Sequence, residues 1–139
     1  MARKKRVFIS FDYDNDKILK DYLVGQSKWP ESPFEISDWS MKEPGPEWNW
    51  EEKARERIKH SDIVLVIVGY ETYMARGVLK EVAIAREEGI KRIQIKGRSD
   101  GWVTRLRGAG WFYEWTWPNL KRLLAYHPYG VEKIDKYKQ

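Results

Sequence analysis

The chain has 139 residues, 34% of them charged, with a formal net charge of +5 and no cysteine. That length suits one domain over residues 1–139, and the missing thiols exclude disulfides and thiolate zinc sites. No apolar run is long enough for a membrane-spanning helix, and Asp12 and Asp14 follow the basic start too soon for a signal peptide, so a cytoplasmic protein is expected.

In chain order, residues 6–11, RVFISF, read as a first strand. Residues 14–28 read as a helix with Ile18, Leu19, Tyr22 and Leu23 inward. After a Pro-containing turn, residues 34–40, FEISDWS, form a second strand in which Phe34, Ile36 and Asp38 alternate against Glu35 and Ser37. A rigid loop through Glu43, Pro44, Gly45 and Pro46 leads to a helix expected to start near Asn49, where Asn49 and Glu52 have capping-box spacing. Trp50, Ala54 and Ile58 mark its buried stripe.

Residues 63–68, IVLVIV, are a continuous β-branched and apolar run, the pattern of a central parallel strand covered on both faces. The next helix places Val78, Val82 and Ala85 on one face, with Glu81 at its edge, and Gly89 stops it. Residues 92–96 form a fourth strand, residues 98–110 a loop with a short helix near 103–106, and residues 111–117, WFYEWTW, a fifth strand. Pro118 opens a closing helix over 119–125.

Five strands alternating with helices predict an α/β, flavodoxin-like parallel sheet of order 2-1-3-4-5 with helices on both faces. In that order the ligand crevice lies outside the carboxyl ends of strands one and three. The loops there supply Ser10, Phe11, Asp12, Tyr13, Asp14 and Asp16, then Asp38, Trp39 and Ser40, then Gly69, Tyr70, Glu71 and Thr72, with Glu81 just beyond. By spacing alone, Glu81 also fits a solvated helix glutamate. The eight tryptophans mostly fill core, and some suit half-open pocket walls.

The basic residues gather partly at the ends (Arg3 to Arg6, then Lys133, Lys136 and Lys138), which read as solvated tails, so nucleic-acid binding is not expected. The charge can favour an anionic substrate. His60 and His127 have no neighbouring ligand pattern, and no metal site is expected. A phosphoacceptor would need an aspartate where the third strand runs into Gly69-Tyr70-Glu71. The chain has no G-x-G-x-x-G string for a bound dinucleotide cofactor and no nucleophile elbow for a serine hydrolase. Glycosidic chemistry at a ribose is left. Breaking an N-ribosyl bond builds oxocarbenium character that one carboxylate can stabilise, and a cationic leaving group needs no general acid. Glu81 is the candidate.

The segments RVFISF, the strand ending at Gly69, VLKEVAIA at 78–85 and FYEWT at 112–116 together resemble the prokaryotic TIR-like family, most closely the ThsB proteins of the Thoeris anti-phage system. The resemblance runs from about residue 5 to about residue 125. It implies that Glu81 is catalytic, that NAD⁺ is the substrate with no other cofactor, and that the nicotinamide–ribose bond is cleaved and the product cyclised to a cyclic ADP-ribose isomer. It implies a messenger-sensing effector as indirect partner, and TIR domains often self-associate through the region of 41–48. Ser10 and Phe11 map onto the family's first-loop hydroxyl and aromatic. Asp38, Trp39 and Thr72 map onto its further substrate positions, and Asp12 joins them from the first loop. Two other readings stand beside this one. One is a non-catalytic TIR-like interaction module. The other is a nucleoside deoxyribosyltransferase-like enzyme, which also uses a glutamate.

Overall fold

The computed structural model describes residues 3–39 and 47–126, and all statements below concern those residues. Ser40, the Glu43–Pro46 loop, His127 and the terminal lysines lie outside them, as does the side chain of Trp48. The elements follow as β1 (Lys5–Ser10), α1 (Tyr13–Ser27), β2 (Phe34–Trp39), α2 (Glu47–Lys59), β3 (Ile63–Val68), a 3₁₀ turn (Thr72–Met74), α3 (Arg76–Glu87), β4 (Lys91–Lys96), β5 (Trp111–Glu114) and α4 (Trp117–Leu123). The five strands form one sheet of order β2-β1-β3-β4-β5, and every neighbouring pair is parallel. This is the α/β flavodoxin-like architecture expected from the sequence.

The apolar run of β3 explains its central place. Ile63, Leu65 and Ile67 enter one core with Val7, Ile9, Leu23 and Leu120. Val64, Val66 and Val68 enter the other with Ala54, Ile58, Val78 and Val82. Period-two alternation of an all-apolar strand feeds both layers, and all six residues are wholly buried. Helix α3 ends in a Schellman motif: Gly89 takes φ +70°, its N–H donates to the Arg86 carbonyl at 3.2 Å, and the Ile90 N–H donates to that of Ala85 at 2.9 Å.

Four local expectations differ from the structure. Ile18 is 77% exposed and Tyr22 58%, while Asp16, Lys20, Leu23 and Ser27 turn inward. The cause is Asp16, whose backbone is non-helical (φ −122°, ψ 21°) and whose buried carboxylate is bound by other loops. That attachment sets the helix phase and overrides the hydrophobic pattern. Helix α2 starts at Glu47, so Asn49 lies inside it and is no cap. No helix forms at 103–106. The buried amide of Gln94 accepts from the Leu106 N–H at 2.8 Å and donates to the carbonyls of Leu106 and Gly110, satisfying an irregular backbone. Strand β5 ends at Glu114 because Thr116 caps α4, its hydroxyl accepting from the Asn119 N–H at 3.2 Å.

No helix among the described residues is long and apolar enough to cross a membrane.

Candidate active site

Helix α3 packs against the sheet through Val78, Val82 and Ala85, and this turns Glu81 inward beside them. Its side chain is wholly buried, so the reading of Glu81 as a solvated helix glutamate is overturned. Ser10, the last residue of β1 and also fully buried, donates its hydroxyl proton to Oε1 of Glu81 at 2.6 Å. The bond is short and wholly enclosed by protein. The strand end and the helix thus fix the carboxylate at the carboxyl edge of β1, where the strand order reverses between β1 and β3.

A cavity of about 240 Å³ opens beside it. Its α1 side is lined by Phe11, Asp12, Tyr13 and Asp14, and its α3 side by Ala75, Arg76, Gly77, Val78 and Glu81, with Trp50 of α2 completing the wall. Three aromatic side chains and a buried carboxylate in one small recess suit a flat ring attached to a sugar. Asp12 is the N-cap of α1: its carboxylate accepts from the Asp14 N–H at 3.2 Å and from Nδ2 of Asn15 at 2.6 Å. Among the described residues no group of His, Asp or Glu has the arrangement to hold a metal ion.

Of the residues singled out from sequence, Ser10, Phe11, Asp12 and Glu81 come together here. Thr72 does not line the cavity. It is wholly buried, accepts from the Gly69 N–H at 2.7 Å and donates towards Oδ2 of Asp16 at 3.3 Å. Asp38 faces α2 and pairs with Nε of Arg57 at 3.2 Å. Trp39 is 42% exposed and is separated from Phe11 by Lys20, whose Nζ lies over both rings, 4.8 Å from the centroid of Trp39 and 5.9 Å from that of Phe11. An edge strand carries Asp38 and Trp39 one position too far from α3. Conversely, sequence reading assigned Trp50 to core alone and passed over Arg76 and Gly77. The signal was a cation and a glycine where α3 begins.

A second polar network, centred on the buried carboxylate of Asp16, holds the crevice loops together. Nη2 of Arg98 donates to Oδ1 of Asp16 at 2.9 Å and to the Asn15 carbonyl at 3.0 Å. The Arg98 guanidinium also lies over the ring of Tyr70, whose hydroxyl donates to Asp100. Burial pushes the Asp16 carboxyl above its ordinary value, against the opposing pull of Arg98 and Thr72. Gly69 is required at this point: a Cβ there would lie 2.2 Å from Oδ2 of Asp16.

A larger groove of about 400 Å³ lies elsewhere, between α1 and the β5–α4 corner, lined by Tyr22, Trp29, Trp115 and Trp117 among others. Its only carboxylate, Glu114, is exposed. The smaller cavity, with a buried and hydrogen-bonded carboxylate, is the better chemical candidate.

No curated protein matches the chain. A family model described as "Thoeris protein ThsB, TIR-like domain" matches residues 8–100, a span that starts within β1 and holds β2 to β4, α1 to α3, Ser10 and Glu81. With that match over more than half its length, the chain belongs to the ThsB TIR-like domain family of the Thoeris anti-phage system.

Proposed function

We propose that this chain breaks the nicotinamide–ribose bond of NAD⁺ in the Glu81 cavity and closes the ADP-ribosyl product into a cyclic isomer that acts as a messenger in anti-phage defence. The observation that carries this reading is the burial of Glu81, held by Ser10 against an aromatic recess. A carboxylate that only solubilised its helix gains nothing from the interior, where a charge is costly to desolvate. A carboxylate that meets a developing cation gains from the same low-dielectric surroundings.

The chemistry needs little else. The pyridinium nitrogen takes the bonding pair of the C1′–N bond and departs as neutral nicotinamide, so no proton donor is required. Positive charge grows on C1′ and O4′ of the ribose, where the carboxylate of Glu81 stabilises it. Ser10 orients that carboxylate, and Phe11, Tyr13 and Trp50 supply flat faces for the leaving ring. Attack at C1′ by a nucleophile on the same molecule, with loss of its proton, gives a cyclic product; attack by water gives ADP-ribose. Pockets for drug-sized ligands run from roughly 300 to 1,000 Å³. A 240 Å³ recess is smaller than that range, so in this reading it takes the nicotinamide–ribose half alone and the adenosine half stays at the mouth.

Incubation of the purified chain with NAD⁺, with and without lysate from infected cells as a source of activating signal, tests this reading. Chromatography should resolve nicotinamide and a cyclic ADP-ribose isomer, both lost in Glu81→Gln. Phage protection that survives Glu81→Gln would instead favour an interaction module. Self-association and a messenger-sensing effector belong to the same proposal.

A further inference from the structure

Strand β5 runs parallel to β4, so residues 97–110 carry the chain back from the carboxyl end of the sheet to its amino end. This return is anchored at every third position. Leu106, Ala109 and Phe112 belong to the core on the α3 side, and Val103 packs against it. The Gln94 amide bonds the backbone at Leu106 and Gly110 and holds the segment without a helix. Gly108 and Gly110 take φ +80° and +84°, and a Cβ on Gly110 would lie 1.9 Å from the Arg92 carbonyl oxygen, so the backbone rests directly on β4.

What this anchoring turns outward is basic and aromatic. Trp102, Arg105, Arg107 and Trp111 are all exposed, Trp102 at 96%. No acidic residue occurs between Asp100 and Glu114. The last turn of α3 adds Arg86, whose Cδ would lie 3.1 Å from a Cβ on Gly108, and the start of β4 adds Arg92. Among the described residues, no carboxylate pairs with Arg86, Arg92, Arg105 or Arg107. Glu87 and Glu88, next to Arg86 in sequence, are both held by Arg55 of α2, at 2.7 and 2.6 Å. Burial and the nearby charge of Arg86 hold the Arg92 guanidinium below its ordinary value. The fold thus keeps like charges together with no counter-charge of its own.

A cation in the last turn of a helix suits the helix dipole, which accounts for Arg86 alone. The Arg105 guanidinium lies over the Phe112 ring, 4.8 Å from its centroid. That stacking uses the face of the fork and leaves its N–H edge for an acceptor. Arg105, Gly110, Trp111 and Phe112 also line a recess of about 270 Å³. The exposed stripe follows the six residues of β4, about 20 Å at the strand rise. Cations set between two exposed indoles are what a single strand needs, charge for its phosphates and flat faces for its bases. A duplex keeps its bases stacked on one another, and an acidic peptide carries no series of flat rings. Neither uses both halves of this surface.

We propose that Trp102, Arg105, Arg107 and Trp111, backed by Arg86 and Arg92, form a binding surface for single-stranded nucleic acid. The guanidinium groups take phosphates and the indoles stack on bases. The surface shares no lining residue with the Glu81 cavity and does not depend on the reaction there. The expectation against a nucleic-acid partner rested on the cations at the two ends of the chain; the fold gathers a different set.

The test titrates the whole chain into a labelled oligothymidylate of about eight nucleotides, within the usual range of single-strand site sizes, and reads anisotropy at several salt concentrations. Joint replacement Arg105→Gln and Arg107→Gln should weaken binding about tenfold or more and flatten the log–log salt slope by about 1.4, two phosphates at about 0.7 each. Trp102→Ala, at a site too exposed to matter for folding, should weaken binding about fivefold or more. Joint replacement Lys53→Gln and Lys59→Gln on the exposed side of α2 removes the same charge elsewhere and should change little. Glu81→Gln should bind as wild type does. Absence of binding, an equal loss in the α2 pair, or full affinity in Trp102→Ala overturns the proposal. So does equal affinity for a duplex of the same length, for polyglutamate or for phosphatidylserine vesicles, since each would show a surface that answers to charge alone.

Discussion

The hydroxyl of Ser10 donates to Oε1 of Glu81 at 2.6 Å across 71 residues of sequence, joining the end of β1 to the buried side of α3. Both side chains are wholly buried, so the bond fixes where the carboxylate lies.

Replacing Glu81 by Gln keeps the volume and removes the charge. NAD⁺ cleavage should fall by about a hundredfold or more, the effect of losing one preorganised electrostatic group. Folding stability should hold or rise, since a buried amide is cheaper to desolvate than a carboxylate. Lys80 is an unsuitable control despite its neighbouring position, because it pairs with Glu51 at 2.5 Å and lies over the Trp50 ring. Ile18→Ala, at a 77% exposed site on α1, should be silent in both assays. Turnover within tenfold of wild type in Glu81→Gln would refute the catalytic role.

Ser10→Ala removes the donor and leaves Glu81 buried. The cost should be about 1–3 kcal/mol in urea denaturation, the penalty for an acceptor deprived of its partner. In a Glu81→Gln background the same change should cost less by about 0.5 kcal/mol or more. Additive costs would show that the bond contributes nothing to the fold.

Gly69→Ala drives a methyl group into the Asp16 carboxylate, at 2.2 Å from Oδ2. The expected loss is about 1–3 kcal/mol, as for overpacking elsewhere. Truncating the obstacle should help, so Gly69→Ala should cost much less when Asp16 is Ala. An equal cost in both backgrounds would mean that the loops do not meet as described.

The pH dependence of stability should carry opposite signatures from two aspartates. Asp16 has a folded value above 3.8, because burial outweighs Arg98 and Thr72. The folded chain therefore holds that proton more tightly than the unfolded chain. This contribution is full below 3.8 and is lost as pH rises through the folded value. Asp62 is the reverse: burial pushes its value up, but hydrogen bonds from the side chain and amide of Arg6 bring it below 3.8. Its contribution is present above 3.8 and is lost as pH falls through the lower folded value. Relative to Asp16→Asn, wild type should lose stability on going from acid to neutral pH, and Arg98→Gln should extend that loss upward. Relative to Asp62→Asn, wild type should gain. Parallel curves for wild type and both variants would contradict these assignments.

The sheet order was readable because β3 is apolar at every position, and only a strand covered on both faces needs that. The inward Glu81 was half readable: spacing placed it beside Val78 and Ala85, and only packing decided that it is buried. What sequence could not show arises from long-range polar contacts. Asp16 rotates α1 through its bonds to Arg98 and Thr72, so Ile18 and Tyr22 face solvent. Gln94 replaces a helix at 103–106 by bonding the backbone directly. Thr72, Asp38 and Trp39 sit near strand ends, as their positions suggested, but nearness to an edge does not fix which helix a side chain faces.

The indoles of this fold also differ in what a dissolved quencher would find. Trp102 is 96% exposed, whereas Trp50 is 5% exposed and walls the Glu81 cavity. Collisional quenching strips the emission of the first and spares the second. Trp50 therefore serves as an intrinsic optical reporter of cavity occupancy, isolated by subtracting the spectrum of Trp50→Phe, and binding becomes visible without any label or turnover.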